Sequence, residues 1–377
     1  MRVLVIDVDG LQPAYLGPYG CEWVPTPTLD RWAADGIVFD QHFADCPDAA
    51  TRPGWRACRH ALAPGPADTD FLADLRAAGV RTARVGPPRP AEGWEIDVPA
   101  ERPADDPLSL KPTRRVVRQA IEQLGDATNA LLWVEVDALL PPWQPPEDAL
   151  AEAFADTADE ETDEPLERWV DDLPEQIAGD DDRTFARLQR TYAAAVATFD
   201  VSVDKLLTDC TKRGWGDEAA WILTAGRGFP LGEHGAVGFT VARLHEEFVH
   251  LPLMVCWPHA EHAGLRVSAL TQPADLGATL RELFGLPFAD SGDLWAGRSL
   301  VSLARGGDVP VRGRAVSGLR VVGGMLWGVR SAGWYLMLDD RPDGERQLFV
   351  KPDDRWEVND VRPRNQELAE EMEREFR

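Results

Sequence analysis

Lysine is nearly missing from this chain. Of 39 basic residues in 377, only Lys111, Lys205, Lys212 and Lys351 are lysines. Basic residues of either kind are outnumbered by 64 acidic ones, which leaves a formal charge of −25. A field of that sign argues against nucleic acid and against an anionic membrane surface as partners. Cysteine is also scarce. Cys21, Cys46, Cys58, Cys210 and Cys256 are an odd number with no C-x-x-C pair, so they read as scattered thiols and neither as a disulfide framework nor as a zinc site. No apolar run approaches the ~18 residues of a membrane span. No basic, then apolar, leader precedes the first strand-like run, and the expected location is the cytoplasm.

What is present is a chain long enough to bury a large core. Short, continuously apolar runs at 3–8, 82–85, 130–136, 219–225 and 251–257 read as strands buried on both faces of a mostly parallel sheet. Amphipathic stretches at 27–35, 68–79, 113–124 and 183–212 read as helices between them. In the last, Leu188, Tyr192, Val196, Phe199, Val203 and Leu206 recur every three or four residues. The alternation predicts an α/β fold with helices on both sides of the sheet. An acidic, proline-rich insertion covers about 140–182. From Glu147 to Asp182 it carries 16 acidic residues against the single base Arg168, which reads as a solvated segment. Past residue 305 the texture changes to short strands at 319–322, 325–329, 335–338 and 347–350, with a closing helix at 365–376. These predict a small antiparallel sheet plus helix over 306–377, appended to an α/β domain over 1–305.

Several motifs lie in a fixed order. Val3-Leu4-Val5-Ile6-Asp7 is followed by Leu16-Gly17-Pro18-Tyr19-Gly20, then by Thr26-Pro27-Thr28-Leu29-Asp30-Arg31-Trp32-Ala33. Further on come Thr224-Ala225-Gly226-Arg227-Gly228-Phe229-Pro230-Leu231-Gly232-Glu233-His234-Gly235 and Leu244-His245-Glu246-Glu247-Phe248. Gln347-Leu348-Phe349 and Val358-Asn359-Asp360-Val361 close the series. Together they resemble the sulfatase family of the alkaline phosphatase-like superfamily, from residue 3 to about 370. The resemblance implies a sulfatase-like α/β sheet flanked by helices and a small C-terminal antiparallel sheet. It implies hydrolysis of sulfate or phosphate esters, aided by calcium or another divalent metal. It also implies a sulfated or phosphorylated small molecule or glycan as ligand.

That chemistry needs a nucleophile, a cation and groups that hold the anion and protonate the leaving group. The resemblance places metal ligands at Asp7 and, by substitution for its neighbour, at Asp9. It places the nucleophile at Thr51 within Thr51-Arg52-Pro53-Gly54-Trp55. The family's Cys or Ser there becomes formylglycine; threonine cannot. Thr51 followed by a proline is equally a helix cap. The family's motif lysines and most of its histidines have no counterpart, and Arg89 lies where a Lys and His segment aligns. The family's Asp-His pair reads Gly226-Arg227, which brings a guanidinium to the metal's place. Arg227 is therefore expected to pair with the carboxylates of Asp7 and Asp9. His234 is the remaining motif imidazole, as a proton donor or a structural group. Three readings follow: a sulfatase-like protein impaired or inactive in catalysis, with no cofactor; an active ester hydrolase using Thr51 and a divalent metal; or a non-catalytic oxyanion binder built on Arg52, Arg56, Arg89 and Arg227.

Overall fold

The strand Arg2–Val8 (β1) alternates its side chains between two apolar layers. Leu4, Ile6 and Val8 enter one layer, while Val3 and Val5 enter the other. This two-sided burial is the physical meaning of its unbroken apolar sequence. The computed structural model describes residues 1–48, 54–64, 70–155, 173–239, 243–287 and 292–376. Thr51, Arg52 and the middle of the acidic insertion lie outside the described residues.

Ile37–Phe43 (β2), Arg81–Gly86 (β3), Ile96–Pro99 (β4), Ala130–Val136 (β5), Ala219–Thr224 (β6), His250–Leu251 (β7), Leu253–Cys256 (β8) and Leu265–Thr271 (β9) complete a nine-stranded sheet. Its order is β4-β3-β5-β1-β6-β8-β2-β7, with β9 alongside β2. The half from β4 to β6 is parallel. The run expected at 251–257 forms two pieces that join the sheet antiparallel. Pro252, which has no N–H to give to a ladder, separates them. The short edge strand β4 and the strand β9 mix polar with apolar positions, so neither stands out as an apolar run.

Helices cover both faces. Asp182–Thr211 begins at the Asp181 side chain, which accepts from the Thr184 amide at 3.0 Å, and buries the expected stripe from Leu188 to Leu206. Asp200 on this helix is fully buried. Its two carboxylate oxygens accept the Thr28 and Leu29 amides at 2.9 Å each, capping the neighbouring helix Pro27–Ala34. Within the acidic insertion, Glu147–Ala153 is helical.

Ala315–Val321 (β10), Gly324–Arg330 (β11), Trp334–Asp339 (β12) and Arg346–Val350 (β13) form a separate antiparallel sheet. The helix Gln366–Phe376 packs Ala369, Met372 and Phe376 onto it. A buried ionic knot joins this sheet to the main one: Arg330 contacts Glu246 at 2.7 Å and Glu357 at 2.9 Å, and Lys351 meets Glu357 at 2.8 Å. Among the described residues, no helix is long and apolar enough to cross a membrane.

Candidate functional site

Ligands of open α/β sheets gather beyond the C-terminal ends of the parallel strands. Here the register sets Asp7 of β1 beside Glu135 of β5 and Thr224 of β6. The next residues finish the rim. Asp9 is fixed by its amide, which donates to the Val136 carbonyl at 2.8 Å. Gly10 turns the chain at φ +83° and donates its amide to the Arg227 carbonyl at 3.1 Å. That bond carries the 226–228 segment to Asp9. Gly228 cannot be anything larger, since a Cβ there would sit 2.0 Å from the Glu247 carbonyl oxygen.

The result is a cavity of about 130 Å³ bordered by Asp7, Asp9, Asp45, Asp48, Glu135 and Asp137, with Arg89 and Arg227 the two arginines on its wall. Both guanidiniums are committed. Arg227 grips Asp9 in a fork, Nε to Oδ1 at 2.8 Å and Nη2 to Oδ2 at 3.1 Å, and its far face lies 3.5 Å from the centre of the Phe239 ring. Arg89 meets Glu135 at 2.9 Å. Arg84, buried in β3, also holds Glu135 and reaches Asp97 at 2.9 Å. Asp45 accepts the Cys46 and Ala61 amides at 2.8 and 2.9 Å, so it shapes the turn beneath the cavity.

This crowd of carboxylates in a poorly solvated place perturbs its members. Desolvation first, then the neighbouring Glu135 and Asp9, raise the Asp7 carboxyl to about 7, against the opposing pull of Arg89. Burial likewise raises Asp137, partly offset by Arg102. His42, at the end of β2, is wholly buried, and burial lowers its imidazole to about 3, so it is neutral. The other wall is aromatic: Trp55 stacks on Trp133 with ring centres 4.0 Å apart and planes 17° from parallel.

The expected site residues therefore separate. Asp7, Asp9, Arg89 and Arg227 come together. Arg227 pairs with Asp9, and not with Asp7 as well. Arg56 turns away, to the Glu92 carbonyl at 2.8 Å and to Asp70 at 3.5 Å. His234 stands in another place, on a larger cavity of about 1230 Å³ beside the antiparallel sheet. Its Nδ1 meets Glu247 at 2.9 Å and its Nε2 meets the Trp356 carbonyl at 2.7 Å, while its ring lies 3.6 Å from that of His245 and 7° from parallel. Burial opposes charging of this ring, yet Glu247 and the Trp356 carbonyl raise its pKa overall.

His234, His245 and Glu357 offer ligand atoms within 4.8 Å of one another, the sole such group among the described residues. Both ring nitrogens of His234 are already engaged, Nδ1 by Glu247 and Nε2 by the Trp356 carbonyl. Its geometry is that of a clamp. Sequence reasoning missed His42, Glu135 and the indole stack. Glu135 had a signal, as the one charge in the run 130–136; His42 had none.

No protein-family model matches the chain. A segment of 102 residues, 27% of the chain, is 31% identical to an N-acetylglucosamine-6-O-sulfatase from Bacteroides thetaiotaomicron, and spans 18% of that protein's length. Among solved structures, one described in complex with its substrate D-glucosamine-2-N,6-O-disulfate superposes with a TM-score of 0.72 at 18% identity, covering 99% of this chain and 97% of that one. A phosphonate monoester hydrolase of Agrobacterium radiobacter gives 0.71 at 16%, covering 100% and 94%. A 2-O glycosaminoglycan sulfatase gives 0.70 at 16%, covering 98% and 90%. The fold is thus sulfatase-like.

Proposed function

We propose that this sulfatase-fold chain does not hydrolyse esters and that its strand-end cavity serves for binding. One observation carries the reading: the Arg227 guanidinium occupies both oxygens of Asp9. A hard divalent cation needs several converging oxygen ligands. Asp9 is engaged, Gly226 offers no side chain, and among the described residues no third His, Cys, Asp or Glu side chain forms a ligand cluster with Asp7 and Asp9. The residues present do not fit the metal that the fold's hydrolases would suggest. A neutral hydroxyl such as that of Thr51 has then no cation to activate it and loses most of the available rate enhancement.

One structural neighbour is described with its substrate D-glucosamine-2-N,6-O-disulfate, and a sulfated or phosphorylated small molecule or glycan is the expectation for this chain. Purified protein supplied with calcium, magnesium, manganese or zinc should turn over neither aryl sulfates, phosphomonoesters nor phosphodiesters. Turnover that disappears in Thr51→Ala would overturn the reading in favour of a metal-dependent hydrolase.

A further inference from the structure

The larger cavity, of about 1230 Å³, is a cleft between the antiparallel sheet and residues 230–247 of the main domain. One face of the small sheet walls it. Leu319 of β10 pairs with Leu326 of β11, which pairs with Asp339 of β12. Met337, two residues before Asp339, therefore lies on the same face as both leucines. The helix Gln366–Phe376 covers the opposite face. Leu319 and Leu326 stay half-buried, and Val322 at the end of the hairpin is 95% exposed. Ile177 and Phe239 add apolar surface from the main domain. Sites for drug-sized ligands measure ~300–1,000 Å³ and are mostly apolar, with a few polar groups that fix orientation. This cleft is of that kind and somewhat larger.

The charged groups around it pair off, with one exception. Arg243 meets Glu345 at 2.8 Å, and Arg341 meets Asp339 at 2.5 Å. Glu247 is taken by His234, and Glu357 by His245, Arg330 and Lys351. Arg320 lines the same cleft, is exposed, and has no ion-pair or hydrogen-bond partner among the described residues. In a chain of charge −25, the uncompensated charge of this cleft is thus positive. A cationic or neutral ligand leaves it unanswered. An oxyanion meets the guanidinium fork with two acceptors at once.

We propose that this cleft binds an amphiphilic anion, an aliphatic body that ends in a carboxylate or a phosphate. The body lies on Leu319, Leu326 and Met337, and its burial supplies most of the affinity. The oxyanion pairs with Arg320 on the solvent side and sets the orientation. The proposal makes no use of the strand-end cavity and stands apart from the non-hydrolytic reading.

The test is titration calorimetry on the full chain at low and moderate salt. The probes are decanoate and decyl phosphate below their micelle concentrations, with decanol and decyltrimethylammonium as neutral and cationic controls. The two anions separate a carboxylate from a phosphate as the head group. At least one of them is expected to bind at one site per chain, more tightly than either control and more weakly as salt rises. Arg320→Met should weaken it about threefold or more and remove most of the salt dependence. Leu326→Asp, which sets an unpaired charge in the apolar wall, should weaken it about tenfold or more. Should that variant fail to fold, Val321→Asp at the end of β10 takes its place. Decanol or the cationic probe binding as tightly as the anions, binding that neither variant weakens, or no binding at all overturns the proposal. Ester turnover, present or absent, moves none of these outcomes, so the two claims fail separately.

Discussion

Replacing Arg227 with methionine keeps much of the side chain's length and removes its charge. The partner Asp9 carboxylate is then left at a site where its side chain is 31% exposed, against 14% for Arg227. An exposed pair contributes about 0.2–1 kcal/mol, and breaking a buried one costs about 3–5. A forked pair at this intermediate depth should contribute about 1–2 kcal/mol, and the lost contact with the Phe239 ring adds about 0.5–1. The single variant should therefore lose about 2 kcal/mol. With unfolding entropy near ~2.1 cal/mol/K per residue, that lowers Tm by roughly 2–3 °C in a chain of this size. The pair itself is isolated by a double-mutant cycle with Asp9→Asn, measured by isothermal denaturation in urea. A coupling of about 1–2 kcal/mol is expected. A coupling below about 0.3 would mean that Arg227 is not committed to Asp9, and the argument that a guanidinium stands in the cation's place would fall with it.

Restoring the acid and imidazole should restore cation affinity. Gly226 has open space where its Cβ would be, so Gly226→Asp with Arg227→His is expected to fold and to gain calcium binding seen as a calcium-dependent rise in Tm; no rise would place the metal's loss elsewhere. Burial first, and then Glu247, raise the Glu233 carboxyl from 4.5 to about 8. A carboxyl raised on folding stabilises the native state fully below its unfolded pKa, and that contribution is lost as pH rises towards the folded value. Stability should therefore fall between pH 5 and 8, by about 2–3 kcal/mol for this group after allowing for its partial exposure; Glu233→Gln should flatten the fall, and an unchanged pH profile would refute the assignment. In the ionic knot, Arg330→Met leaves Glu246 and Glu357 with Lys351 as their remaining close cationic side chain, apart from their histidines. It should cost about 3–5 kcal/mol in thermal or chemical denaturation, whereas a loss under 1 would show the knot to be solvated.

The parts of this molecule that were legible in sequence are those where one physical cause dominates. Burial on both faces makes β1, β5 and β6 continuous apolar runs, and a single buried stripe makes the 30-residue helix periodic. The edge strand β4 and the half-exposed β9 answer to neither rule, and strand direction is set by connections that the run at 251–257 does not encode. The site divided the same way. Asp7, Asp9, Arg89 and Arg227 could be placed together because a strand end and a motif fix the backbone. His234 shares the motif with Arg227 but leaves the cavity, because the chain turns through Gly232 and Gly235, both at positive φ, before Glu247 and the Trp356 carbonyl take the ring. His42 is noticeable only once β2 and β9 are paired, which sets Thr271 opposite it.

The scarcity of lysine bears on the cavity's chemistry. A cluster of carboxylates at strand ends must be compensated, and a divalent cation would do so from a single point. Here the compensation is spread over arginines arriving from different segments: Arg227 on Asp9, Arg84 and Arg89 on Glu135, and Arg102 near Asp137. A guanidinium offers donors in a fixed planar fork and stays charged when partly desolvated, which a lysine ammonium does less well. Arginine therefore suits carboxylates that must be held apart in fixed positions. Such a lattice holds Asp9 and Glu135 in direct ion pairs and reaches Asp137 through Arg102, while burial raises the Asp7 carboxyl to about 7.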